Sequence, residues 1–103
     1  MAYSSDNGYV FDNPPIFRGG VNIESISDNK TLTMEDSTFQ HINASVGSLN
    51  IILPAPKNGA VFAIMCIGNA LMVQVPGPTD IKSLSVDEGA MFVSDGSVWK
   101  QIL

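Results

Sequence analysis

The stretch Val61-Phe62-Ala63-Ile64-Met65-Cys66-Ile67 decides how this chain folds. Its β-branched residues and the Gly68-Asn69 break that follows argue for a strand over a helix. A strand sends alternate side chains to opposite faces, so Val61, Ala63, Met65 and Ile67 share one side and Phe62, Ile64 and Cys66 the other. Both rows are apolar. Leu49-Asn50-Ile51-Ile52-Leu53 and Leu71-Met72-Val73 show the same doubling more weakly. An antiparallel sheet usually presents one face to water and alternates cleanly, so a strand apolar on both faces is central and covered twice. In so short a chain the second cover is expected from a neighbouring copy, which places Phe62, Ile64 and Cys66 at a subunit interface. Burying these three gives on the order of 5 kcal/mol before association costs. The alternative is that the chain's own N-terminal arm supplies the cover.

Working outward, the rest of the sequence reads as short strands parted by turns. Val21–Ser25 and Thr31–Met34 alternate apolar and polar residues. Phe39–Asn43 and Leu49–Leu53 follow, divided by Ala44-Ser45-Val46-Gly47. Pro54-Ala55-Pro56-Lys57-Asn58-Gly59 breaks the pattern. Ala60–Ile67, Leu71–Val75, Ile81–Val86, Ala90–Ser94 and Val98–Leu103 complete the series. Asp95-Gly96 signals a two-residue hairpin of type I′, in which both central residues take positive φ. Nine short strands with no helical period predict an all-β domain over residues 21–103, an antiparallel β-sandwich of jelly-roll type or another Greek-key arrangement. Residues 1–20 form a separate, extended arm. Asp12-Asn13-Pro14-Pro15 keeps it out of the helical region, yet it carries Tyr9, Val10, Phe11, Ile16 and Phe17. Such an arm packs on its own domain or docks on a partner.

The 103 residues allow one domain. With 45% hydrophobic and only 15% charged residues, disorder over most of the length is excluded. Ten acids against five bases give a net charge of −5, and Arg18, Lys30, Lys57, Lys82 and Lys100 are scattered singly. Nucleic-acid binding needs clustered cations, so that class is set aside. Cys66 is the one cysteine and His41 the one histidine, which leaves neither a disulfide nor a Cys/His zinc set. Met1-Ala2-Tyr3-Ser4-Ser5-Asp6 lacks the basic flank and apolar run of a signal peptide, and Ala60–Val75 is too short to span a bilayer. No membrane partner is expected, and synthesis in a cytoplasm is.

Chemistry is sparse. His41 has no nucleophile or orienting acid at a telling spacing, and Asp87-Glu88 before Gly89 reads as a turn. Phosphate-binding glycine loops and a nucleophile elbow are absent. Trp99 suits either sugar stacking or packing. The expectation is a non-enzymatic protein with no catalytic residues, metal or cofactor.

Thr31-Leu32-Thr33 with the later Asp36-Ser37, then Gly47-Ser48-Leu49-Asn50-Ile51-Ile52-Leu53-Pro54, begin a familiar pattern. Gly59-Ala60-Val61-Phe62-Ala63-Ile64 and the closing Ala90-Met91-Phe92-Val93-Ser94-Asp95-Gly96-Ser97-Val98-Trp99 complete it. Together they resemble a small β module of tailed-bacteriophage virion proteins over about Lys30 to Leu103. Such modules occur in tail fibres and baseplates and as trimeric jelly-roll proteins decorating capsids. The chain opens on its own Met, closes directly after its last strand and has no heptads for a fibre stalk, which favours the capsid. The resemblance therefore implies a decoration or cement protein, a homotrimer seated on the major capsid protein at the outer surface of the virion head. On that reading Tyr9, Phe11, Pro14, Pro15, Ile16, Phe17 and Arg18 contact the capsid or a neighbouring subunit, an assignment made from hydrophobicity and position. The alternative is a tail fibre or baseplate module that recognises host surface glycan through aromatics such as Trp99 or Tyr3.

Overall fold

The computed structural model describes residues 19–103. Among them the chain is all-β, as expected, with strands β1 (Val21–Ile26), β2 (Lys30–Thr31), β3 (Phe39–Ile52), β4 (Val61–Val75), β5 (Thr79–Ser85), β6 (Gly89–Ser94) and β7 (Trp99–Gln101). Two pairs of expected short strands are fused. Phe39–Asn43 and Leu49–Leu53 become the two halves of the 14-residue β3. Ala60–Ile67 and Leu71–Val75 become those of the 15-residue β4. Ala44-Ser45-Val46-Gly47 and Gly68-Asn69 are thus bends inside strands, not ends of them. Thr31–Met34 is strand only at its start, because Asp36 draws the chain into a turn. Its carboxylate accepts from the Thr33 N–H at 2.7 Å, and its own N–H donates to the Thr33 carbonyl at 3.0 Å.

All seven strands join one mixed sheet. The expected antiparallel pairing holds for β4–β5, β4–β6 and β6–β7. On the N-terminal side β1–β3, β2–β3 and β3–β4 are parallel instead. Parallel neighbours in chain order require the chain to return to the same end after each strand, which a two-residue hairpin turn cannot do. The chain winds as a coil.

Connector length shows how tightly. Residues 53–60 link β3 to β4, and nine Cα steps reach at most about 32 Å. A straight 14-residue β3 would run about 46 Å, too far for that link to close. Both long strands must therefore fold over midway. The register locates the fold: Asn43 pairs with Gly68 and Ser48 with Ala70, so four residues of β3 lie opposite one of β4. Asn69 there takes a φ of 55° and Asp87 one of 68°, values that polar Asn and Asp tolerate best after glycine. Asn69 Nδ2 donates to the Ala44 carbonyl and ties the two bends together. The Cys66 N–H donates to the Glu88 carbonyl at 2.8 Å and the Asp87 N–H to the Cys66 carbonyl at 2.7 Å, carrying the ladder around the corner.

Two walls result. The first holds β1, the first halves of β3 and β4, β6 and β7; the second holds β2, the later halves of β3 and β4, and β5. The connector spans both, since the Leu53 N–H donates to the Gln74 carbonyl at 2.8 Å and the Gly59 N–H to the Ser94 carbonyl at 3.0 Å. One core fills the space between, with Ile42, Phe62, Ile64, Cys66 and Phe92 from the first wall and Ile51, Leu71, Val73 and Leu84 from the second.

The closing hairpin forms, with Ser94 paired to Trp99, but not through the expected turn. Gly96 takes positive φ (98°) and Asp95 does not. Asp95 Oδ1 instead accepts from the Ser97 and Val98 N–H groups at 2.8 and 3.0 Å, a side-chain-built turn.

Candidate functional site: an apolar outer face

The inward row of β4 is Phe62, Ile64 and Cys66, at 2%, 1% and 0% exposure. These three were expected at a subunit interface, and the structure places them in the chain's own core. The reason is the coil: once the long strands fold over, the second wall supplies the cover that a sister copy seemed needed to give. Of the other row, Val61 is buried too, and what remains outward is half-buried Ala63 and Met65 with exposed Ile67.

Register carries that outward row across the wall. Ile23 pairs with His41 and His41 with Met65. Val21 pairs with Phe39, Phe39 with Ala63 and Ala63 with Met91. The Ile102 N–H donates to the Met91 carbonyl at 2.9 Å, and Leu103 after it reaches the same side. Ile23 at 68% and Leu103 at 76% exposure stand clear of the surface. Between them lies a groove of about 260 Å³, lined by Phe39, His41, Ala63, Met65, Met91 and Leu103. Gly89 keeps it open, because a Cβ there would press on Met65 Cε at 3.2 Å and the Ile64 carbonyl at 3.2 Å. Among the described residues no Asp, Glu, Lys or Arg lines this groove.

The second feature is the mouth of the coil, where the first turn ends. β1 is inverted relative to an ordinary amphipathic strand: Val21 and Ile23 face out, while half-buried Asn22 and Glu24 face in. Asn22 Nδ2 bridges Glu24 Oε1 and Gln40 Oε1, each at 2.8 Å. Lys30 reaches across from the second wall to pair with Glu24. The Lys30 ammonium holds the Glu24 carboxyl below the usual glutamate range, against partial desolvation and with help from Asn22. An open polar cavity of about 570 Å³ adjoins this cluster, lined by Glu24, Asp28, Lys30, Thr33 and Asp36 among others.

Two further carboxylates are held low by turn geometry. Glu88 accepts from the Ser85 N–H at 2.7 Å, and Asp95 from the N–H groups of Val98 and Ser97. Both shape loops. Among the described residues no group of three or more His, Cys, Asp or Glu is placed to hold a metal ion.

Trp99 is not presented for sugar stacking. Its ring packs 5.9 Å from that of Phe62 at an interplanar angle of 47°, and Nε1–H donates to the Pro54 carbonyl at 2.8 Å. Tyr3 and the arm residues Tyr9, Phe11, Pro14, Pro15, Ile16, Phe17 and Arg18 lie outside the described residues. Sequence reasoning missed the outer face because it needs four strands in register. The one local signal was the inversion of β1, which puts Val21 and Ile23 on the exposed side and Asn22 and Glu24 on the half-buried one.

The class these features define is a small all-β coil with a polar mouth and an apolar outer face. No protein-family model, curated protein or solved structure matches the chain.

Proposed function

We propose that this chain is a structural protein that works by self-assembly, and that it decorates the head of a tailed bacteriophage. In this reading a homotrimer, assembled in the host cytoplasm, sits on the major capsid protein at the outer surface of the virion and braces the shell. The phage setting comes from the resemblance of Lys30–Leu103. The observation that supports assembly is the outer face, where Val21, Ile23, Phe39 and Leu103 are exposed on one side of the first wall. Apolar side chains gathered this way mark an interaction surface, and each one fully buried on docking contributes about 1.5–3 kcal/mol before association costs. Three subunits binding together turn modest contacts into avid attachment.

Light scattering across the micromolar range tests self-association, and co-sedimentation with DNA-free capsids tests the lattice. Saturable binding at one trimer per fixed lattice site is the expected result. A protein that stays monomeric and ignores capsids overturns the reading.

The coil itself favours a second reading, a tail fibre or baseplate module, since turns stacked in parallel suit extension along an axis. Binding to host cells or purified surface polysaccharide, with none to capsids, would select it.

A further inference from the structure

We infer that residues 9–17 of this chain lie as a strap across its own outer face, from the edge at β1 to Leu103 on the far side. The inference goes beyond the self-assembly reading and does not rest on it. The arm is outside the described residues, but its point of departure is not. The chain bends at Gly19-Gly20, and Gly20 takes a φ of 76°, a conformation that residues with a Cβ rarely adopt. The Ser37 hydroxyl donates to the Gly19 carbonyl at 3.1 Å and holds the bend beside the chain leading into Phe39. Phe39 lines the groove. The arm therefore joins the described chain at the margin of that groove, through a bend that takes it out of the line of β1.

Length fits. Register runs from Val21 through Phe39 and Ala63 to Met91, and the Ile102 N–H joins the end of the chain to Met91. The five strands β1, β3, β4, β6 and β7 leave four gaps, which span about 19 Å at about 4.8 Å each. Pro14-Pro15 keeps the arm out of the helical region. The six steps from Phe17 to Phe11, at about 3.1 Å each, also span about 19 Å. With Phe17 over the β1 edge, Phe11 comes to Met91 and Leu103.

Chemistry fits as well. Between Tyr9 and Phe17 the one charged residue is Asp12, and the groove is lined without Asp, Glu, Lys or Arg among the described residues. Val21, Phe39 and Leu103 are exposed, and Phe11, Ile16 and Phe17 bring large apolar side chains to cover them. Tethering selects the chain's own arm over any other occupant. A short linker gives it an effective concentration on the order of millimolar, above that at which copies meet in dilute solution. Ile23 lies in the neighbouring row of His41 and Met65 and stays free for contact between copies.

The test cross-links the dilute full-length chain. A photo-crosslinking residue replaces Met91 in one variant and Leu103 in a second, where 76% exposure leaves folding unaffected. Each variant is prepared in ordinary and heavy-isotope form, mixed, irradiated and read by mass spectrometry. The expected product links the probe to residues 9–17 of the same isotope. Linked peptides of mixed isotope show a sister's arm and overturn the proposal, as does a lack of arm peptides from both variants. The same probe at Ser83, exposed on β5 of the second wall, should capture the arm at least about tenfold less; equal capture overturns the proposal. Adding Phe11→Ser and Phe17→Ser to the Leu103 variant should abolish capture, and capture at the parent level overturns the proposal too.

Discussion

Strands β1 and β4 belong to the same wall yet obey different rules on their inward sides. β4 lies deep in the coil and sends Phe62, Ile64 and Cys66 into a dry core. β1 forms the first turn and sends Asn22 and Glu24 inward, where Gln40 and Lys30 satisfy them. Inward composition therefore follows depth: apolar where both walls close, polar where the coil ends and an apolar row would be left half-wet. Inward-facing charge at an edge also discourages further strands from stacking there. On their outward sides the two strands agree. Val21 and Ile23 continue Ala63 and Met65 across the intervening Phe39. The outer face is thus a property of the wall and not of one hydrophobic strand, and the sequence that places a charge pair at the mouth leaves this side apolar.

The largest effect that could break this comparison is on the inward row of β4. Phe62→Ala should cost about 3–5 kcal/mol in denaturant unfolding, through lost transfer energy and the cavity left behind. Met65→Ala, three residues along and outward, should cost well under half of that in the isolated chain. Equal losses would mean that the rows are wrongly divided. Trp99→Phe comes next. The phenyl ring keeps contact with Phe62 but abandons the Pro54 carbonyl, and the expected loss is about 1–2 kcal/mol with no change in association.

The sequence made parts of this legible and hid others for physical reasons. Alternation and turn residues are local, so the all-β class and most strand positions could be read directly. Whether Ala44-Ser45-Val46-Gly47 ends a strand or bends one depends on ladder bonds to Gly68 and Ala70, more than twenty residues away. The same holds for the two rows of β4. Both are apolar, and only the fold-over of the second wall decides which becomes core. The outer face was hidden further, because Ile23, His41 and Met65 join only through register. His41 itself was singled out, and its place in the row between two apolar residues gives it surface without catalytic partners from spacing.

A smaller effect tests the mouth. Glu24 is held below its ordinary pKa in the folded chain, chiefly by Lys30. A depressed folded value means the pair contributes stability above the unfolded glutamate range and loses it as pH falls through the folded value. Glu24→Gln should therefore flatten the acid limb of stability against pH while changing neutral stability by under about 1 kcal/mol, since the pair is partly exposed. Lys30→Met should flatten the same limb. An acid limb identical to the parent's in both variants would show that the mouth pair does not set the polar end of the comparison.

The smallest expected change in stability carries the most information about the outward side. Ile23→Thr keeps the β-branch that suits a strand and swaps one methyl-bearing arm for a hydroxyl at a site that is 68% exposed. In the dilute chain, unfolding should shift by no more than about 0.5 kcal/mol, as for most surface replacements. If β1 owed its outward isoleucine to the fold, the loss would be larger and independent of concentration. If the residue serves a contact between copies, the dilute chain is indifferent. The penalty should then emerge only as concentration rises and the parent gains stability by mass action while the variant does not. Melting curves at two concentrations a hundredfold apart separate these cases within one experiment, and concentration-independent melting of the parent would leave the outer face with no role in self-assembly.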